Sequence, residues 1–197
     1  MTTRDLNALL GSRICHDLIS PLGAIGNGIE LLTLSGINAA PEIALISESV
    51  ENASVRIRFF RIAFGAASAT EMIGAQECKA LMADLSRGGR LNYRWLASSD
   101  MPRREVKLAY LLLLCLETAL PYGGEVTVAH QDDRWSINSR ADRMRIESDL
   151  WALLVDPSAN TDVTAANVHF ALVGPAASLA GSRVSCDLSE GEIKIGF

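Results

Sequence analysis

The sequence predicts an α+β chain in which a helical hairpin, paired with a second copy as a dimeric four-helix bundle, is followed by an α/β sandwich. Three observations predict it. Apolar residues recur at three- and four-residue spacing from about Thr3 to Phe64, broken once at Ser35-Gly36-Ile37-Asn38, so two long helices are joined by a short turn. After the small-residue passage Gly65 to Gly74 the pattern changes to short alternating segments interleaved with helical ones. A hairpin this long has one apolar face per helix and only its own mate to cover it, which calls for a second copy and makes the chain a homodimer. The predicted units are residues 1–72 and 73–197.

The first helix is expected from about Thr3 to Leu34, with Thr2 or Thr3 as N-cap and Asp5 in the first turn, where the helix dipole favours an acid. On a helical wheel Ile14, Leu18, Leu22, Ile25, Ile29 and Leu32 share one sector, the expected buried stripe. His16, Ser20, Gly23 and Asn27 fall on the opposite side. That face is open, lined by small neighbours, and accessible to a protein-sized partner. Pro21 removes one backbone donor a turn past His16 and predicts a kink; Gly36 is the expected C-cap.

The second helix is expected to start near Pro41, with Glu42 behind it. Its seam runs Ile43, Ile46, Val50, Ala53, Ile57, Phe60 and Phe64. Beyond Gly74 the elements expected in order are a helix at Ala75 to Asp84, a strand at Leu91 to Ala97 and a strongly apolar helix at Arg104 to Leu120. A hairpin of Glu125 to His130 with Trp135 to Ser139 follows, then helices near Asp149 to Leu154 and Thr164 to Leu179. Strands Arg183 to Leu188 and Glu192 to Phe197 form a terminal hairpin. Helices packed on one mostly antiparallel sheet make the sandwich.

Composition narrows the function. The chain has 197 residues, 49% of them hydrophobic, enough for real cores, and a net charge of −5, so it offers no basic footprint for nucleic acid. Cys15, Cys78, Cys115 and Cys186 are far apart with no CxxC pair, which argues against a zinc site or redox dithiol and reads as reduced, mostly buried thiols. The opening Met-Thr-Thr-Arg lacks an apolar signal region. The longest apolar run, Leu108 to Leu116, is nine residues, about half a membrane span. A soluble cytoplasmic protein that does not engage membranes is expected.

The run His16-Asp17-Leu18-Ile19-Ser20-Pro21-Leu22 resembles the H-box of two-component histidine kinases, in which a phosphorylated His is followed by an acid, by Ser or Thr four positions on and by Pro five positions on. The longer run Arg13-Ile-Cys-His-Asp-Leu-Ile-Ser-Pro-Leu-Gly-Ala-Ile25 is similar to the ChpT family of histidine phosphotransferases, dimeric relay proteins. The resemblance implies that His16 is the phosphorylated nucleophile. Asp17 would orient or tune its imidazole, and Ser20 would stand one turn away to bond the phosphoryl group, a water or the helix backbone. Arg13, Ile19, Gly23 and Asn27 would then meet the partner. His130 and His169 read as structural.

The order of elements after Gly74 resembles the ATP-binding (Bergerat) domain of histidine kinases, but its chemistry is worn. The run from Leu111 to Gly124 stands where an N-box would place two asparagines on Mg²⁺ and nucleotide, and the corresponding positions are Leu114 and Thr118. Leucine cannot ligate Mg²⁺, which wants hard oxygen ligands. No Asp-x-Gly-x-Gly loop follows Ile137, and no glycine-rich lid precedes Phe170, so the charges of a triphosphate have no backbone cradle. The expectation is a phosphotransferase that binds no ATP and no cofactor of its own. It relays a phosphoryl group from the receiver of a hybrid histidine kinase to response regulators, whose receivers bring the Mg²⁺. The rival readings are an autophosphorylating cytoplasmic kinase, a receiver phosphatase and a non-catalytic dimeric scaffold.

Overall fold

The computed structural model describes residues 17–18, 20–28, 30–32, 34, 40–68, 70–156, 159 and 161–197. The described residues between 17 and 34 are all helical and form α1, and those on both sides of Pro21, from 20 to 28, are helical. The predicted N-cap, the Gly36 C-cap and the stripe positions Ile14 and Ile29 lie outside the described residues. α2 covers Ala40–Ala63. Among the described residues of α1 Gly28 is the buried one, and a Cβ placed on it would stand 2.5 Å from Ile46 Cγ1. The two helices therefore meet where α1 has no side chain.

The expected seams divide. Within one chain Leu22 is 58% exposed, while Leu18, Ile25 and Leu32 are half-buried. On α2, Ala53 and Phe60 are buried but Ile43, Val50 and Ile57, spaced by seven, are each about half exposed. The reason is that α2 packs against the α/β unit as well as against α1. Its C-terminal half, from Val55 to Ala63, joins the same hydrophobic core as that unit, and Phe59 stacks on Tyr110 at 4.8 Å between ring centroids.

The α/β unit contains β1 (Met72–Ile73), α3 (Ala75–Gly88), β2 (Leu91–Trp95), β3 (Met101–Pro102), α4 (Arg103–Ala119), β4 (Gly124–Gln131) and β5 (Arg134–Arg140). α5 (Ser148–Val155), α6 (Val168–Ala180), β6 (Ser185–Ser189) and β7 (Glu192–Gly196) complete it. The main sheet has the order β2-β4-β5-β7-β6; β2 runs parallel to β4 and the other pairs are antiparallel. Alternate residues of β2 (Leu91, Tyr93, Trp95) and β5 (Trp135, Ile137, Ser139) are buried, so one face of the sheet meets the helices. α4 is the centre: every residue from Leu108 to Leu116 is fully buried, as a helix apolar on all sides must be.

Three local features depart from expectation. α3 runs a turn longer than predicted, through Gly88. The β4–β5 loop is a two-residue turn at Asp132 and Asp133, with φ of 50° and 56°, a left-handed conformation that Asp tolerates better than most residues. β1 and β3 pair as a separate two-stranded ribbon, too short to carry any alternation. Beside it, Asp100 Oδ1 accepts a 3.1 Å hydrogen bond from the Ala75 amide and so caps α3 from outside the helix.

Candidate functional site

A cleft of about 560 Å³ opens where the hairpin meets the α/β unit. Asp17, Ser20, Pro21 and Ala24 of α1 form one wall, and Arg56, Tyr93 and Glu117 contribute from α2, β2 and α4. Arg56 is the hub. Its guanidinium grips Glu117 with both Nη atoms, Nη1 to Oε1 at 2.8 Å and Nη2 to Oε2 at 2.6 Å. The same Nη2 donates to Asp17 Oδ2 at 3.4 Å. The Tyr93 hydroxyl donates to Glu117 Oε1 at 2.9 Å. The arginine also lies over the rings of Phe59 and Phe60, 5.5 and 4.9 Å from their centroids.

This geometry fixes the charge states. Burial opposes the Arg56 charge, but the Glu117 carboxylate and its hydrogen bonds, followed by Asp17, more than reverse that and hold the guanidinium protonated. Burial, and then Glu117, push the Tyr93 phenol well above its ordinary range, so it remains a neutral donor. A bidentate arginine–carboxylate pair is a directional clamp rather than a diffuse attraction.

Of the predicted site residues, His16, Arg13 and Ile19 lie outside the described residues. Ser20, Gly23 and Asn27 are exposed together on α1, as the wheel predicted. Asp17 is half-buried and turned toward Arg56, on the flank that also carries Pro21, Ala24 and Gly28. Sequence reading missed Arg56, Glu117 and Tyr93. A signal was present: Glu117 follows nine apolar residues, and Arg56 sits among Val55, Ile57 and Phe59, and charges in such company are rarely buried unless paired.

The N-box positions do not fit Mg²⁺ or nucleotide. Leu114 is fully buried in the core. The Thr118 hydroxyl donates to the Leu114 carbonyl oxygen at 3.1 Å and lies 3.2 Å from His169 Nε2, so its oxygen is committed to the fold. Among the described residues no cluster of three or more His, Cys, Asp or Glu could hold a metal ion, and no helix is long and apolar enough to cross a membrane.

Two known proteins at least 32% identical to this chain are phosphotransferases. A bacterial phosphotransferase solved at 1.7 Å matches with a TM-score of 0.82 and 32% identity, over 100% of this chain and 97% of that one. The protein phosphotransferase ChpT of Brucella abortus (strain 2308) is 39% identical over 152 residues, 74% of this chain and 72% of that protein. Residues 75–192 match the family described as histidine phosphotransferase C-terminal domain. The class is therefore phosphotransferase. The chain belongs to the histidine phosphotransferase family, and its activity is phosphoryl transfer within a phosphorelay.

Proposed function

We propose that His16 is the phosphoryl carrier and that a homodimer shuttles the group, in the cytoplasm, from the receiver of a hybrid histidine kinase to the receivers of response regulators. Residues 1–72 are the dimerisation and transfer unit, and residues 73–197 the ATPase-like unit. The observation that carries this reading is the run from Arg13 to Ile25, an H-box at the head of a helical hairpin in a chain of this family.

The chemistry asks little of the chain. A lone pair on a neutral His16 ring nitrogen forms the N–P bond, the P–O bond to the receiver's aspartate breaks, and the electron pair leaves with that carboxylate. The remaining ring N–H would take the Asp17 carboxylate as its acceptor, the role that the resemblance implies for the acid after the histidine. Transfer onward is the reverse step on a second receiver. The receiver supplies the Mg²⁺ that neutralises the phosphoryl oxygens; the aliphatic Leu114 and the engaged Thr118 support a chain that takes no ATP of its own. Gly23 and Asn27, exposed beside Ser20, leave room for a receiver helix, with Arg13 and Ile19 completing the docking face. The half-exposed Leu22, Ile43, Val50 and Ile57 support the bundle, since water-facing apolar residues at heptad spacing are what a partner hairpin covers.

The test is label transfer from a phosphorylated receiver to the wild type and to His16→Gln, beside a lane with labelled ATP alone. Label on the wild type only, with the ATP lane blank, is expected. Label from ATP would make the chain a kinase, and no label from any of several receivers would leave a scaffold.

A further inference from the structure

We infer that Arg56 is a positioning residue for phosphoryl transfer, holding the carboxylate of Asp17, next in sequence to His16, through an ion-pair chain anchored on Glu117 and Tyr93 of the α/β unit. The inference rests on the reading of His16 as carrier. It assigns the ATPase-like unit a part in the transfer step that needs no nucleotide.

The chain of contacts has a direction. Glu117 sits in the last turn of α4, where residues Leu108 to Leu116 before it are fully buried, so its backbone is held by close packing. Tyr93 adds a 2.9 Å bond to the same carboxylate, and the rings of Phe59 and Phe60 hold the guanidinium plane. What remains of the Arg56 fork then reaches Asp17 Oδ2 at 3.4 Å. The longer, single bond is the outermost link: the clamp is tight where it meets the core and looser where it meets the transfer helix. A carboxylate accepts several hydrogen bonds at once, so a bond from Arg56 is compatible with one from an imidazole N–H.

A role in stability alone accounts for less of this. A partly buried ion pair is weak support for a fold, and a well-packed apolar group often serves as well. The arrangement here spends an arginine, two acids and a phenol on one line that ends beside the reactive residue. A restrained Asp17 would in turn restrain an imidazole bonded to it, and displacement of a reacting group by about 1 Å can cost a hundredfold in rate.

The experiment is single-turnover transfer from a phosphorylated receiver at varied receiver concentration, comparing wild type with Arg56→Met, Arg56→Lys, Glu117→Gln, Asp17→Asn and Asp17→Asn/Arg56→Met, each checked for folding by circular dichroism. Arg56→Met and Glu117→Gln should lower the saturating rate roughly tenfold, leaving the half-saturating receiver concentration unchanged, because neither group meets the receiver. Arg56→Lys should recover part of the loss. In the Asp17→Asn background the Met substitution should add less than about twofold, because its effect runs through Asp17. Unchanged rates in folded Arg56→Met, or an equal further loss when Asp17 is already Asn, would overturn the inference. If Arg56→Met fails to fold, Arg56→Lys and Glu117→Gln decide on the same criteria. Should wild type accept no label, the carrier reading itself has failed, and the positioning role fails with it.

Discussion

The Thr118 hydroxyl lies 3.2 Å from His169 Nε2, joining α4 to α6. With the single hydroxyl proton given to the Leu114 carbonyl oxygen, the ring nitrogen is the donor in that contact. Thr118→Val keeps the shape and removes the acceptor. It should cost about 1–2 kcal/mol in urea denaturation, with phosphoryl transfer unchanged.

Placing a metal ligand at Leu114 should not create a nucleotide site. Leu114 is fully enclosed, so Leu114→Asn buries an amide among apolar side chains and should destabilise the chain by about 3 kcal/mol. A thermal melt with Mg²⁺–ATP should show no ligand-dependent rise for the wild type or for Leu114→Asn/Thr118→Asn. A rise in the double variant would mean that the cradle survives and only its ligands were lost.

Ile57 is 52% and Val50 45% exposed in the single chain. Ile57→Asp should therefore leave each chain folded while breaking the proposed homodimer, by placing an unpaired charge where the second copy would pack. Light scattering after size exclusion should read half the wild-type mass, with an unchanged circular dichroism spectrum. A dimer of wild-type affinity would place the interface elsewhere.

Much of the fold was legible because periodicity carried it. The α1–α2 hairpin, the apolar α4 and both strand hairpins of the sheet follow from spacing and turn residues. What spacing could not say was which half of a seam faces its own chain. Ala53 and Phe60 turn inward and Ile43, Val50 and Ile57 outward because α2 serves two neighbours, and a wheel counts only one. At the site, Asp17 and Ser20 were readable from a local run. The Arg56–Glu117 pair that meets Asp17 was not, since Arg56 lies 39 residues from Asp17 and 61 from Glu117 in sequence and they meet only through tertiary packing.

Tyr93→Phe isolates the inner end of the Arg56 chain. Its phenol bonds a charged carboxylate, so its loss should cost about 1.5 kcal/mol at neutral pH. Because burial first, and Glu117 second, raise the folded phenol above its ordinary value, this contribution is complete below about pH 10 and declines as pH rises beyond it. Urea melts of the two proteins should therefore converge in strong alkali.

Cys78 sets an earlier alkaline limit. It is 1% exposed, and burial raises its thiol from 9.0 to about 11, with a hydrogen bond involving Tyr110 opposing the shift. An unfolded chain ionises this thiol first, so the stability it protects is intact below pH 9 and is lost as pH climbs toward 11, by on the order of 2 kcal/mol. Cys78→Ala has no thiol to ionise. Its penalty relative to wild type, measured by urea denaturation at pH 7.5, 9 and 10.5, should shrink across the two upper values. A penalty that stays constant would mean that the thiol is solvated when folded, and that the packing of α3 against α4 is looser than the structure shows.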